Sequence, residues 1–162
     1  MVVNLKKLLQ EWRHERYMGL LLHGEADCGK SRYLLQMMQN VARDFPVLYF
    51  DVLETVSGFK DKGIVLQWNP KTFLEWLLPE LGEKINGNHQ ALVIDHIDFL
   101  FNLWDATKKE EFIQRISRIE KVVFQRPILF VLQDDAVIEQ IKKQPEAGRK
   151  PYIIAYKDLE AI

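Results

Sequence analysis

Five short apolar runs divide the chain, and patterns of helical spacing lie between them. The runs cover residues 18–23, 47–52, 91–95, 127–132 and 152–156. They are almost uniformly apolar instead of alternating, which is typical of strands buried on both faces of a parallel sheet. The pattern therefore predicts a three-layer α/β fold, with a five-stranded, mostly parallel sheet and helices on both faces.

Apolar residues recur every three to four positions between these runs, which predicts helices. The helices are expected over residues 3–16, 30–43, 71–85, 105–123 and 136–143. Pro79 lies inside the third of them and is expected to kink or split it, because proline has no N–H to donate. Residues 64–68 are expected to be extended. We assign residues 1–162 to a single domain, in which residues 1–17 form an N-terminal segment with an amphipathic helix.

The first apolar run leads directly into the pattern of a phosphate-binding loop, Gly-x4-Gly-Lys-Ser, at residues 24–31. A strand before the loop and a helix after it are the context that this motif requires. The pattern predicts that Lys30 reaches the β- and γ-phosphates of a nucleotide and that Ser31 ligates Mg²⁺. The predicted nucleotide-binding residues are Gly24, Glu25, Ala26, Asp27, Cys28, Gly29, Lys30, Ser31 and Arg32.

Charge and cysteine content narrow the function classes. The formal net charge of −1 gives no basic excess, which argues against a free-standing nucleic-acid-binding protein. A single cysteine excludes an intrachain disulfide framework and fits a reducing compartment. We find no signal-peptide pattern and no apolar run of the roughly 20 residues that span a bilayer, so we expect a cytoplasmic protein without a membrane partner.

The third apolar run ends in Asp95, which is preceded by four apolar residues. Ligands of parallel sheets bind at the carboxyl ends of the strands, so residues at these ends are the informative ones. An acidic residue at this place, downstream of a phosphate-binding loop, is expected to hold Mg²⁺. The alternative is an aspartate that only caps the following turn.

With residues 24–31 as Walker A, residues 91–95 as Walker B and Gln133 at the sensor position, the chain resembles the additional-strand P-loop ATPases, the group that contains AAA+ and STAND proteins. This resemblance implies ATP and Mg²⁺ as cofactors. It also implies that Gln133 contacts the γ-phosphate or the attacking water. Most members of the group carry glutamate directly after the Walker B aspartate, whereas His96 stands at that position here.

The departure at His96 leaves the catalytic base open. Asp98 can replace the glutamate if the strand end curls back. Glu54 or Asp51, after the second run, can replace it as in RecA-like relatives, and His96 can itself act. The alternative is that His96 and Asp98 only cap the turn. Asp98 and Glu54 are the preferred candidates.

Arg149 precedes the last run, where related ring ATPases place an arginine finger that acts in a neighbouring subunit. This similarity implies a homo-oligomer, and the alternative is a solvated loop arginine. The ATPase core without a C-terminal lid domain is similar to the small P-loop ATPase subunit of BREX-type bacterial phage-defence systems. That similarity implies other protein subunits as partners, and contact with nucleic acid through them.

The sequence thus predicts an ATP-binding and ATP-hydrolysing subunit that is a motor or switch in a larger, DNA-directed defence assembly, with weak activity in the absence of its partners. A small-molecule kinase is the first alternative, because some kinases place a substrate-binding acid where Asp51 lies. A non-hydrolysing nucleotide sensor is the second, and His96 in place of glutamate favours it.

Overall fold

The computed structural model describes residues 2–144 and 152–162. The strands are β1 (Gly19–Gly24), β2 (Val47–Asp51), β3 (Ala91–Asp95), β4 (Ile128–Gln133) and β5 (Tyr152–Ala155). The helices are α1 (Leu5–Trp12), α2 (Lys30–Val41), α3 (Val52–Ser57), α4 (Gly63–Leu66), α5 (Pro70–Lys84), α6 (Asp98–Phe101), α7 (Ala106–Ile116) and α8 (Ala136–Lys143). A 3₁₀ turn, Tyr156–Asp158, follows β5.

The five strands form one sheet in the order β2-β3-β4-β1-β5, and all neighbouring pairs are parallel. The prediction of an α/β fold with a five-stranded sheet is therefore confirmed. Because the strands are parallel, their carboxyl ends lie at one edge. Gly24 is paired with Gln133 there, and Asp51 with Asp95.

Helices cover both faces of the sheet, as the burial of the three central strands β1, β3 and β4 requires. In β1, Leu20 and Leu22 pack against α1 and α2, whereas Leu21 points into the opposite layer with α5 to α8. The second layer is rich in aromatic rings, and Phe112 lies at its centre without exposed surface. The two layers cover the faces of the sheet and leave its carboxyl-end edge for the loops.

Two of the expected elements are wrong. Residues 64–68 were expected to be extended, but α4 occupies most of this segment. The helix expected over 105–123 ends at Ile116, because the chain then turns to pair with the segment before β1. The N–H of Lys121 donates to the carbonyl of Arg16, and the N–H of Met18 donates to that of Ile119.

Pro79 neither ends nor divides α5, which continues from Pro70 to Lys84. Proline at this position removes the hydrogen bond to the carbonyl of Glu75. Both residues are exposed, so water can satisfy that carbonyl. The helix therefore does not split at Pro79, and a kink there stays a prediction.

Within the described residues, no helix combines the length and the apolar character that crossing a membrane requires.

Candidate functional site

The predicted phosphate-binding loop connects β1 to α2 at the carboxyl-end edge of the sheet. Gly29 directly precedes α2 with φ of 100°, a left-handed conformation that glycine adopts without strain. A Cβ atom at Gly24 would lie 2.8 Å from Cβ of Tyr156 and 3.1 Å from Sγ of Cys28, so a side chain there would collide with its neighbours. Both glycines of the motif are thus required by the local geometry.

Lys30 is buried inside the loop, with 8% of its surface exposed. Its Nζ donates hydrogen bonds to the carbonyl oxygens of Gly24, at 3.1 Å, and Glu25, at 2.7 Å. No carboxylate lies within 4.0 Å of this ammonium group among residues 2–144 and 152–162. The positive charge is therefore held by neutral acceptors, at the N-terminus of a 12-residue helix.

Asp95 joins the loop to the third strand. Its Oδ2 atom accepts hydrogen bonds from the hydroxyls of Ser31 and Tyr49, both at 2.6 Å. Its Oδ1 atom accepts from the backbone N–H of His96 at 2.8 Å. Only 3% of the residue is exposed. Burial, followed by the hydrogen bond to Asp95, raises the pKa of Tyr49, so its hydroxyl stays a donor.

The pair of Ser31 and Asp95 fits a hard cation such as Mg²⁺. Both residues offer oxygen ligands, which this ion prefers. Because the Ser31 hydroxyl donates its proton to Asp95, its lone pairs remain free to face a cation.

His96 has φ of 58°, so the chain turns sharply after β3. Its Nδ1 atom donates to Oδ2 of Asp51 at 2.8 Å, and its Nε2 atom lies 3.9 Å from Oδ2 of Asp95. Burial lowers the pKa of His96, but the hydrogen bond to Asp51 and the nearby carboxylates outweigh burial and raise it overall. Two neighbouring strands therefore supply one Asp–His pair at the sheet edge.

Asp98 lies in the first turn of α6, where its Oδ1 atom accepts the backbone N–H of Gln133 at 2.7 Å. Burial raises the pKa of Asp98, whereas this hydrogen bond and the charge of Lys30 oppose the increase. The expected curl of the chain after β3 is present and brings Asp98 against the end of β4.

A cleft of about 600 Å³ lies above these residues. Its lining includes most of the predicted site: Asp27, Cys28, Gly29, Lys30, Ser31, Arg32, Asp95, Asp98 and Gln133, together with His96. Gly24 and Glu25 line a second cleft on the other side of the loop, and Ala26 is exposed at the turn of the loop.

One predicted catalytic residue, Glu54, is not among the described residues that line this cleft. Glu54 is exposed in the first turn of α3, where its backbone N–H donates to the Asp51 side chain at 2.9 Å. Asp51 instead holds the ring of His96. Arg149 lies outside the described residues.

Three polar residues of this region were not among the predicted site residues. Tyr49 lies within the second apolar run. The only signal for the direction of its side chain was that successive side chains of a strand point to opposite faces of the sheet. His23 is 3% exposed, with Nδ1 2.8 Å from Oδ1 of Asp134 and Nε2 3.0 Å from Nζ of Lys142. An ammonium group can only donate, so Nε2 accepts and Nδ1 carries the proton. Tyr156 covers the loop from the β5 side.

No known protein family matches this chain, and no curated protein matches it.

Proposed function

We propose that this protein binds a nucleoside triphosphate, ATP, with Mg²⁺ at the loop between β1 and α2. The buried ammonium group of Lys30 is the observation that carries the proposal. A buried charge is unfavourable unless an opposite charge pairs with it, and no carboxylate of the described residues lies within 4.0 Å of this one. A polyphosphate on the backbone N–H groups of the loop would supply that charge.

The pair of Ser31 and Asp95 supports Mg²⁺ as the second ligand. Their oxygens lie 2.6 Å apart at the edge of the cleft that also contains Lys30. Mg²⁺ supplies positive charge that polarises the terminal phosphate when it is bound. Ser31 would ligate the ion directly, and Asp95 would hold both the Ser31 hydroxyl and the hydration shell of the ion.

Asp98 is our proposed base for hydrolysis. It lines the cleft, its Oδ1 atom is fixed by the N–H of Gln133, and Oδ2 makes no hydrogen bond with the described residues. A raised pKa suits a carboxylate that must accept a proton from water. Gln133 would contact the γ-phosphate or the attacking water with its side chain.

We further propose that the protein is an ATP-dependent motor or switch in a larger assembly, and that its copies associate. The position of β4 between β1 and β3 supports membership of the additional-strand ATPases, since that inserted strand gives the group its name. The role in a DNA-directed phage-defence assembly rests on the resemblance to the BREX subunit. Partner subunits would then supply the contact with nucleic acid.

A nucleotide sensor without hydrolysis is the second candidate. It is favoured by His96, which stands where glutamate is expected and whose Nδ1 atom is engaged by Asp51. A sensor would bind Mg²⁺–ATP and release no phosphate, even with its partners present.

The test of binding is thermal stabilisation. A ligand at 100 times its dissociation constant stabilises a protein by about 2.7 kcal/mol, which for this chain length raises Tm by several degrees. We expect Mg²⁺–ATP to raise Tm of the wild type and of Lys60→Ala, an exposed control. Lys30→Ala should show no increase. An equal increase in Lys30→Ala would contradict the proposed site.

A further inference from the structure

The sheet order fixes the direction in which a nucleotide would lie across the loop. Strands β4 and β3 are on one side of β1, and β5 is on the other. Ser31 and Asp95, which would hold the cation and the terminal phosphates, are on the side of β3. The nucleoside would then extend toward β5. This step rests on the proposed function.

Tyr156 is the first residue after β5, whose last residue Ala155 is paired with His23. A Cβ atom placed on Gly24 would lie 2.8 Å from Cβ of Tyr156. A Cβ atom placed on Gly29 would lie 3.3 Å from the hydroxyl oxygen of Tyr156. The side chain therefore spans the loop from the first glycine of the motif to the second.

The ring of Tyr156 is held by packing. It meets the ring of Tyr33 edge to face, with centroids 5.8 Å apart and planes at 88°. The hydroxyl of Tyr33 donates to the carbonyl of Glu160 at 2.6 Å, and Val3 exchanges backbone hydrogen bonds with Asp158 and Glu160. Tyr156 is itself half-buried, and its hydroxyl makes no hydrogen bond with the described residues. Packing alone therefore holds the ring of Tyr156 in place, and its hydroxyl takes no part in this.

A cleft of about 390 Å³ lies beside this ring, between the loop, the end of β5 and α8. Its volume falls within the range of small-molecule sites, roughly 300–1,000 Å³. Its lining combines the aromatic ring with Glu25, Asp134 and Lys157. A flat aromatic surface suits a nucleobase, and carboxylates can accept hydrogen bonds from ribose hydroxyls.

From this arrangement we propose that the base of the bound nucleoside triphosphate stacks on Tyr156, and that the cleft beside it holds the nucleoside. Stacking on an aromatic ring tolerates different bases, because every base has a π face. The site therefore favours nucleotides over inorganic polyphosphates and discriminates weakly among bases through the ring itself.

The experiment compares two probes, Mg²⁺–ATP and Mg²⁺–tripolyphosphate, by titration of the full chain. Both occupy the phosphate loop, but only ATP has a base. We expect Tyr156→Ala to weaken ATP binding at least about fivefold and to change tripolyphosphate binding less than about twofold. Tyr156→Phe should bind both probes as the wild type does.

Two further variants keep the result interpretable. Tyr156→Leu fills space against Gly24 and Tyr33 without a π face, and it should repeat the selective loss if the alanine variant is unstable. Tyr152→Ala removes a tyrosine from the opposite end of β5 and should leave both affinities unchanged.

Three results would overturn the inference. Equal ATP affinity of wild type, Tyr156→Ala and Tyr156→Leu would show that no base stacks on Tyr156. Parallel loss of both probes would show that the ring only supports the loop. If the wild type bound tripolyphosphate and ATP equally well, the nucleoside would make no contact here, although the proposed phosphate site would stand. Failure of the wild type to bind either probe would instead refute the proposed function itself.

Discussion

At the scale of residues, the carboxylates at the edge of the sheet have different environments. The oxygens of Asp95 accept three hydrogen bonds, from Ser31, Tyr49 and the backbone of His96. Asp98 accepts one, from the backbone of Gln133. Both oxygens of Asp95 are already engaged, whereas Asp98 has one oxygen that makes no hydrogen bond with the described residues, so we assign them different roles: Asp95 as a holder of the cation and Asp98 as an acceptor of a proton.

The raised pKa of Asp98 gives a pH-dependent prediction. Burial makes its charged form less stable in the folded protein, so the folded state binds the proton more tightly than the unfolded state. The stability of the wild type relative to Asp98→Asn should therefore fall as pH rises from about 4, the unfolded pKa of aspartate, through the raised folded pKa. Urea unfolding at a series of pH values measures this difference.

Asp44 is the matched control, because its pKa shifts in the opposite direction and its effect on stability therefore changes with pH in the opposite sense. Its hydrogen bond with Lys6, at 2.6 Å, lowers the pKa of Asp44. Its contribution is present above the unfolded pKa and is lost as pH falls through the lowered folded value. The wild type should thus gain stability relative to Asp44→Asn as pH rises toward about 4, and lose stability relative to Asp98→Asn as pH rises above about 4. If the stability difference between the wild type and each variant changed with pH in the same direction for both variants, our description of Asp98 would be refuted.

At the scale of elements, the strands could be predicted from sequence more closely than the connections. The apolar run at residues 91–95 has the same bounds as β3. A strand that is buried on both faces must be almost entirely apolar, so its sequence is easy to recognise. The short helices α3 and α6 were not predicted, since neither has enough residues to show a helical period. The N-cap of α3, Asp51, is visible only in the structure, where its side chain accepts the N–H of Glu54.

The aromatic layer between α5, α7 and the sheet is expected to stabilise the fold most. Phe112 is fully buried and its ring centre lies within 6.1 Å of those of Phe73, Phe101, Trp104 and Phe130. Phe112→Ala should lower the free energy of unfolding by about 3–5 kcal/mol, through lost burial and the cavity left behind. Chemical denaturation measures this loss.

Val122→Ala is the control for Phe112→Ala, because 83% of Val122 is exposed. Its effect should stay within about 0.5 kcal/mol. A loss in Phe112→Ala that is no larger than the loss in Val122→Ala would mean that the aromatic layer collapses around the cavity or packs differently.

At the scale of the whole molecule, the parallel sheet explains how much of the site could be predicted. Residues far apart in sequence, such as Ser31, Asp95 and Gln133, meet because each follows or ends a strand whose carboxyl end reaches the same edge. The pattern of runs is enough to predict that meeting. It does not give the direction of a side chain at the edge, which is why Glu54 and Asp51 could not be distinguished, and why Tyr49 and Tyr156 were missed.

The measurement that tests the central claim most directly is a calorimetric titration of the wild-type chain with ATP, in Mg²⁺ and in EDTA, beside Lys30→Ala in Mg²⁺. We predict that one ATP binds per chain in Mg²⁺, more weakly in EDTA because Ser31 and Asp95 then hold no cation. Lys30→Ala should lose most of the binding, because the loop lacks its buried charge. No binding by the wild type, or the same affinity in Lys30→Ala, would contradict a nucleotide site at this loop.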